Sequence, residues 1–381
     1  SRRLTVHIRN AIEASGGWLP FDRFMDLALY APGLGYYVAG ATKLGPAGDF
    51  VTAPEISPLF AHCLAEPCDQ VLETLGGGDL LELGAGSGAL AAELLAALDA
   101  RGRLPHRYLI LEPSPELTAR QRDTLRDRVP ELAGRVHWLD RLPIGFRGVV
   151  IANEVLDALP VHRFCIAANG AIDEVFVETR GEGFGSSTGA PVSAELVESV
   201  RRLHAAGLAR APGYCSEINL RAGAWVRALA ESIDAGLILL IDYGYPRAEY
   251  YLPERASGTL MCHHRHQAHP HPFVHLGLQD ITAHVDFSSV AEAATAAGLT
   301  LAGYTSQAQF LIDCGIDRLI SRTAADDPAA MLDLAAGAKQ LLLPSLMGER
   351  FQVLGLCRAL PDALTDGGIA GFRQRDLRER L

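Results

Sequence analysis

An α/β fold around a mostly parallel sheet is predicted for this chain by three observations. From residue 79 onward, short apolar runs alternate with helix-length segments: 79–83 then 89–100, 108–111 then 115–126, followed by runs at 135–139 and 149–152. Such alternation marks parallel β/α/β units with right-handed crossovers. A glycine-rich turn, Glu82-Leu-Gly84-Ala-Gly86-Ser-Gly88, stands where the first run gives way to the first helix. Leu237-Ile-Leu-Leu-Ile241 is apolar throughout, as a strand covered on both faces must be, and its distance from 149–152 places a large insertion between them.

Taken in order, 4–15 and 20–30 read as helices. The stretches Ala31-Pro-Gly-Leu-Gly-Tyr-Tyr and Leu44-Gly-Pro-Ala-Gly-Asp form a glycine- and proline-rich loop system of the kind that carries function. Within the insertion, Phe164–Ala168 and Glu174–Glu178 flank Asn169-Gly170, a hairpin signal, and 193–207 and 217–234 read as helices. After Ile241 the pattern is irregular to about 285. A helix over 288–297, a strand over 299–305, two helices between 307 and 342 and a last strand at 351–357 follow. The two late strands are expected to give the sheet an antiparallel edge. The resulting division is 1–65 for an N-terminal helical segment with site loops, 66–185 for the first part of the sheet domain, 186–235 for a helical insertion, and 236–381 for the rest.

The 381 residues exceed what one core usually holds, so insertions or a second domain are required. With 49% hydrophobic and 21% charged residues, and 38 Gly and 21 Pro without a period, the chain is neither disordered, collagenous nor a coiled coil. A net charge of −11 argues against a general nucleic-acid binder, which needs a basic surface, but suits a basic protein partner. The cysteines (63, 68, 165, 215, 262, 314, 357) are dispersed without a Cys-x-x-Cys pair, as in a protein of a reducing compartment rather than a disulfide scaffold. No apolar run reaches the roughly 18 residues of a membrane helix, and Ser1–Asn10 lacks the apolar centre of a secretory signal.

Glycines 84, 86 and 88 let the backbone approach a ligand, and the following helix offers its N-terminal amides to a carboxylate or phosphate. The spacing fits a dinucleotide as well as another adenosine cofactor. Glu82 separates them: an acid two residues before the first glycine is awkward beside a pyrophosphate but suits the ammonium of S-adenosylmethionine (SAM). Glu112 ends the second strand in Leu109-Ile-Leu-Glu112-Pro113-Ser114-Pro, where a carboxylate can accept both ribose hydroxyls. Asp140, after the third strand, could reach the adenine edge; the plain alternative is a solvated loop acid. After the fourth strand, Asn153-Glu154-Val-Leu-Asp157 could bracket a nucleophilic nitrogen facing the cofactor's methyl group; the plain alternative for Asn153 and Glu154 is helix capping. The run Cys262-His263-His264-Arg-His266, with His269, His271 and His275, carries zinc-ligand residue types but no recognisable ligand spacing, so no metal is assigned.

The chain resembles the MidA-like SAM-dependent methyltransferases, relatives of the mitochondrial arginine methyltransferases required for respiratory complex I assembly. The matching stretches are Leu29-Tyr-Ala-Pro-Gly-Leu-Gly-Tyr-Tyr37, Gly48-Asp-Phe-Val-Thr-Ala-Pro-Glu-Ile-Ser57, Glu82–Gly88, Glu112-Pro-Ser-Pro115, Ala152-Asn-Glu-Val-Leu-Asp-Ala-Leu-Pro-Val161, Ile241-Asp-Tyr-Gly244, Thr282-Ala-His-Val-Asp-Phe287 and Leu346-Met-Gly348. The resemblance implies a Rossmann-like class I methyltransferase sheet, with SAM (product S-adenosylhomocysteine) at Glu82–Gly88 and Glu112–Ser114. It also implies a cap built from the N-terminal segment and the mid-chain insertion, and Gly48–Ser57 lining the active site. Two departures stand out. The loop reads Gly-Ala-Gly-Ser-Gly where the family has Gly-Pro-Gly-Arg-Gly, and Val155-Leu156 replaces Phe-Phe, which widens the pocket.

Methyl transfer from a sulfonium is an in-line displacement, so positioning carries most of the catalysis. An arginine nucleophile needs carboxylates to orient its fork; Glu154 is the first candidate, with Glu55, Asp157 and Asp286 behind it. Thr52, Pro54, Asp242, Tyr243, His284 and Asp286 are assigned to the substrate side. The expected activity is protein arginine N-methylation through an exposed arginine, in the cytoplasm of a bacterium or the mitochondrial matrix for eukaryotic relatives. Alternatives are a SAM-binding assembly factor without turnover and an NAD(P)-dependent oxidoreductase. A homodimer is expected if the cap exposes an apolar face.

Overall fold

The computed structural model describes residues 2–38, 52–326 and 328–381, leaving aside the side chains of 323–330. Leu44–Asp49 and the first residues of Gly48–Ser57 thus lie outside the described residues. Two compact units are present: one drawn from Ser1–Phe50, Leu156–Ala224 and Tyr245–Asp286, the other from Val51–Val155, Trp225–Gly244 and Phe287–Leu381. This places 52–65 with the sheet and 156–185 and 245–286 with the N-terminal segment, where the sequence reading divides the chain at 65, 185 and 235.

The second unit is built on β1 (Asp79–Leu83), β2 (Tyr108–Leu111), β3 (Val136–Leu139), β4 (Phe146–Asn153), β5 (Ile233–Tyr245), β6 (Thr300–Ser306) and β7 (Phe351–Arg358). Their order is β6-β7-β5-β4-β1-β2-β3. The pairs β1–β2, β2–β3, β1–β4 and β4–β5 are parallel. β7 runs antiparallel to both β5 and β6. The late strands therefore close one side of the sheet as expected, but only β7 is reversed; β6, the outermost of the two, points the same way as the parallel strands. Every residue of β1 is buried. Leu80, Val149, Ile151, Leu237, Leu239 and Ile241 pack in one core with Leu64 and Val71 of helix Pro58–Thr74 and with Leu94, Leu95 and Leu98 of helix Ala89–Asp99. Each fully buried aliphatic side chain stabilises by about 1.5–3 kcal/mol, which explains why these strands read as mostly apolar runs.

The three central strands approach through two glycines. Gly148 on β4 (φ 145°) pairs with Asp79 on β1, and Gly236 on β5 (φ 143°) pairs with Gly148. A Cβ at Gly148 would lie 1.9 Å from the Asp79 carbonyl oxygen, and one at Gly236 would lie 1.8 Å from that of Gly148. Both neighbours are backbone, so neither can yield without breaking the register.

The first unit holds an antiparallel sheet in the order Trp18–Pro20, Ile172–Arg180, His162–Ile166, Cys215–Ile218, with Gly183–Gly189 also paired to Ile172–Arg180. The hairpin around Asn169-Gly170 forms. The helix expected at 217–234 begins only at Leu220, because Cys215–Ile218 is drawn into pairing with His162–Ile166. The region read as irregular contains strands Met261–His264, Gln267–His269 and Asp280–Thr282, so the histidine-rich run is a β-hairpin. Its turn residues Arg265 and His266 both have positive φ, 49° and 62°, as a two-residue hairpin turn of the primed type requires. Leu4, Ile8 and Ile12 of helix Arg2–Ala14 pack with Phe21, Phe24 and Met25 of helix Phe21–Tyr30 in this unit's core.

One expectation is corrected here. Cys165 and Cys215 stand directly opposite each other on adjacent antiparallel strands, with Cα atoms 4.1 Å apart, and form a disulfide. A 50-residue separation hid a pairing that strand register imposes. Cys63, Cys68, Cys262, Cys314 and Cys357 are free and buried. Among the described residues no helix is long and apolar enough to cross a membrane.

The close approach at Gly148 yields a direct expectation. Gly148→Ala should destabilise the protein by about 3 kcal/mol or more, read as a lowered thermal midpoint. A midpoint equal to that of the wild type would show that the β1–β4 register is not fixed there.

Candidate functional site

The site is assembled at the carboxyl ends of β1, β2, β4 and β5, where sheets of this kind bind ligands. β1 delivers Glu82 and then a turn in which Gly84, Gly86 and Gly88 have φ of 68°, 53° and 84°. Gly88 is the cap of helix Ala89–Asp99 and offers no side-chain cap, and the first turn carries no acidic residue. The helix thus presents amides without an internal anion. Glu82 is only 4% exposed, and its Oε2 accepts a hydrogen bond from the Tyr108 hydroxyl at 2.7 Å. Burial pushes its carboxyl up to about 7, with the Tyr108 hydrogen bond acting against that rise.

Glu112 follows β2. Its Oε1 accepts from the Ser114 amide at 2.9 Å and its Oε2 from Gln121 Nε2 at 3.1 Å. Ser114 caps helix Pro115–Arg128 by accepting from the Leu117 amide, with Pro115 in the first turn. Pro113 is exposed. Asp140 is left outside this arrangement: its side chain is 95% exposed, 3.9 Å from Arg141.

The end of β4 is tightly braced. The Glu154 amide donates to Ile241 O at 2.9 Å and the Val155 amide to Asp242 Oδ2 at 3.1 Å, while Asp242 Oδ1 accepts from the Tyr243 amide at 2.9 Å. Asp242 is 1% exposed. Glu154 is held at φ 54°, the left-handed region that costs a residue with a Cβ about 1–2 kcal/mol. Its Oε1 accepts from Asn153 Nδ2 at 3.1 Å and its Oε2 from the Tyr243 hydroxyl at 3.4 Å. No helix follows, so the capping alternative for Asn153 and Glu154 falls away. Among the described residues Asn153 Oδ1 is buried without a hydrogen-bond partner, as is Glu55 Oε2. At the carboxyl edge of the sheet, such acceptors are atoms that a bound ligand can satisfy. Thr52 precedes the short helix Ala53–Ile56, which contains Pro54 and Glu55.

Three sequence-assigned residues belong to the other unit. Asp157 is 4% exposed, and its carbonyl accepts from the Ala283 amide at 3.0 Å. The His284 amide donates to Thr259 Oγ1 at 3.1 Å, with the Tyr245 ring 5.3 Å from the imidazole. Asp286 is engaged by Arg247 Nε at 3.3 Å. Among the described residues no group of three or more His, Cys, Asp and Glu could hold a metal. Sequence reasoning passed over Tyr108 and Gln121. The first was detectable as the residue two before Ile110, the parallel partner of Glu82, hence on the same face. The second was detectable as the inward neighbour, one turn before Leu125, on a helix that is otherwise largely exposed.

The residues present fit an adenosyl cofactor: the glycine cradle, the open helix N-terminus, the acid after β2 and the orphaned Asn153 oxygen. Comparison with known proteins agrees. The family model of S-adenosyl-L-methionine-dependent methyltransferases matches residues 63–305. The Danio rerio protein named protein arginine methyltransferase NDUFAF7, mitochondrial, is 30% identical over 382 residues, covering 92% of this chain and 86% of its own. The Homo sapiens protein of that name is 28% identical over 402 residues, with 95% and 84% covered. A solved Burkholderia thailandensis structure bound to S-adenosyl-homocysteine superimposes with a TM-score of 0.93 at 44% identity, covering 100% of this chain and 97% of that one. A native structure from the same organism gives 0.90, also at 44% identity, over 100% and 96%. This chain belongs to the S-adenosyl-L-methionine-dependent methyltransferase family, and SAM is its cofactor.

Proposed function

We propose that this methyltransferase modifies an arginine side chain of a partner protein, with Glu154 orienting the guanidinium. The observation that carries the reading is the braced Asn153-Glu154 pair at the carboxyl edge of the sheet. The names of the relatives from Danio rerio and Homo sapiens support it. When bound, SAM supplies an activated methyl group on its sulfonium. A guanidinium, with a pKa above about 12, stays protonated, so a carboxylate must hold its planar fork and draw charge away from the attacking nitrogen. Glu154 suits that task because each of its oxygens is fixed by a different neighbour, which sets the plane of the carboxylate. Glu55, with its orphaned Oε2, is the second carboxylate of this reading.

On the cofactor side, Glu82 receives the ammonium, the amides of helix Ala89–Asp99 the carboxylate, and Glu112 with Pro113 and Ser114 the ribose. Asp140 is left out because its carboxylate stands in solvent. Thr52, Pro54 and Tyr243 are the substrate-side residues of this reading within the sheet unit, and Asp242 acts by holding the Glu154 turn. The net charge of −11 favours a basic acceptor segment. The cytoplasm of a bacterial host suits the five buried free thiols, whereas the Cys165–Cys215 disulfide is the one feature that points to an oxidising setting.

Incubation with methyl-labelled SAM and cell extract, followed by acid hydrolysis, is expected to place the label in methylarginine. Label confined to lysine or to carboxyl groups would contradict the arginine assignment. Glu154→Gln should leave SAM affinity within about twofold and lower turnover by about 100-fold or more, since the fork loses its anionic partner. Glu154→Gly should remove turnover while keeping or raising thermal stability by about 1 kcal/mol, because glycine tolerates the left-handed backbone. Turnover unchanged in either variant would remove Glu154 from the mechanism.

Glu82 gives a pH signature. Its folded pKa of about 7 lies above the ordinary value of 4.5, so the cofactor-free protein binds the extra proton in the folded state. The stabilisation linked to that proton is present at low pH and lost as pH rises through about 7. An incoming ammonium requires the ionised form, so SAM binding at pH 6 should release about one proton, and affinity should rise toward pH 7.5. Calorimetry in buffers of different ionisation enthalpy measures that release; Glu82→Gln should abolish it. Equal proton release in wild type and variant would place the ammonium elsewhere.

A further inference from the structure

We infer that Gln121 is a positioning residue that locks the adenosyl half of the cofactor site into one arrangement. The inference rests on SAM being the cofactor. Gln121 lies in helix Pro115–Arg128 and is 0% exposed. A buried amide is costly unless its donors and acceptor are used. Here each finds a partner, and the three partners come from three different segments. Nε2 donates to Gly86 O of the glycine turn at 3.1 Å and to Glu112 Oε2 after β2 at 3.1 Å. Oε1 accepts from Trp138 Nε1 on β3 at 2.8 Å.

The backbone adds a fourth tie. A Cβ at Gly88 would come within 3.1 Å of the Gln121 Cα, so the helix carrying Gln121 is seated directly against the glycine turn. The turn, the ribose carboxylate and the end of β3 therefore cannot shift independently. Both protons of one planar amide are divided between a loop carbonyl and the carboxylate, which fixes the rotation of Glu112 as well as its distance from Gly86. A helix residue whose only task was to fill space would need no donors; an apolar side chain of that length would strand Gly86 O, Trp138 Nε1 and one oxygen of Glu112. Every polar atom of the Gln121 side chain is engaged by protein, so its action runs through Glu112 and Gly86.

The test is a double-mutant cycle on S-adenosylhomocysteine binding, measured by calorimetry on the full chain, with Gln121→Met, Glu112→Gln and the pair. Gln121→Met keeps the side-chain length and removes the donors. It should weaken binding by about tenfold in the wild-type background and by less than about twofold in the Glu112→Gln background, because the loss runs through Glu112. Gln121→Glu is the second variant. It keeps the acceptor for Trp138 but places a carboxylate against Glu112, so it should weaken binding at least as much, and increasingly so as pH rises. A merely structural role would lower the thermal midpoint and weaken binding by the same factor in both backgrounds. Additive losses, or undiminished binding in a folded variant, would overturn the inference. Failure of the wild type to bind would refute the cofactor assignment on which it rests.

Discussion

Asp242 holds the geometry on which the rest of the site depends. The parallel pairing of β4 and β5 carries one residue past the end of β4, where the Glu154 amide still bonds to Ile241 O. The chain then has to turn away at once. It does so by placing Glu154 in the left-handed region and giving the Val155 amide to the Asp242 carboxylate. That carboxylate is buried and also accepts from Tyr243, so the turn, the residue after it and the tyrosine that holds Glu154 move as one body. Backbone strain of this sort persists only where the surroundings over-determine it, and it concentrates at working residues. The strained carboxylate and its brace lie at the carboxyl edge of two central strands.

The cofactor half is built by a different rule. Little of it is strained; it is arranged by burial and by amides. Glu82 sits one residue before the end of β1 with Tyr108 beside it, and its raised carboxyl makes it a group poised to ionise when a cation arrives. The open helix end supplies the opposite preference a few residues later, so under the proposed reading one turn of chain serves a positive and a negative group. An amino-acid moiety carries both charges on adjacent atoms. That complementarity, rather than the glycine spacing alone, distinguishes SAM from a dinucleotide.

Much of this was legible in the sequence where a residue's role is set by its own neighbours. Buried parallel strands are mostly apolar, so β1, β2, β4 and β5 were visible even with the acids of β1. The turn at 84–88 and the acid at 112 are fixed by their places after those strands. What escaped was set by partners distant in the chain. Gly183–Gly189, a glycine- and serine-rich stretch to which the sequence assigns no element, pairs along Ile172–Arg180. Residues 217 and 218 read as the start of a helix until His162–Ile166 supplies a strand partner. The same register puts Cys165 against Cys215, which no spacing pattern encodes. Gln121 escaped because it is a polar residue on a largely polar helix, where only its place one turn before Leu125 marks it as facing inward. For Asp140 the sequence leaves two readings open, because position after a strand does not decide whether a carboxylate points at a site or at water; in the structure its side chain is exposed.

The most direct measurement is a calorimetric titration of the purified chain with SAM, beside Gly86→Val. Gly86 has φ 53° in the cofactor turn, so valine there both strains the backbone and fills the approach. Saturable binding near one SAM per chain that the variant loses is the expected result. Absence of binding, or binding that survives the valine undiminished, would contradict the placement of the cofactor at the carboxyl edge of the sheet.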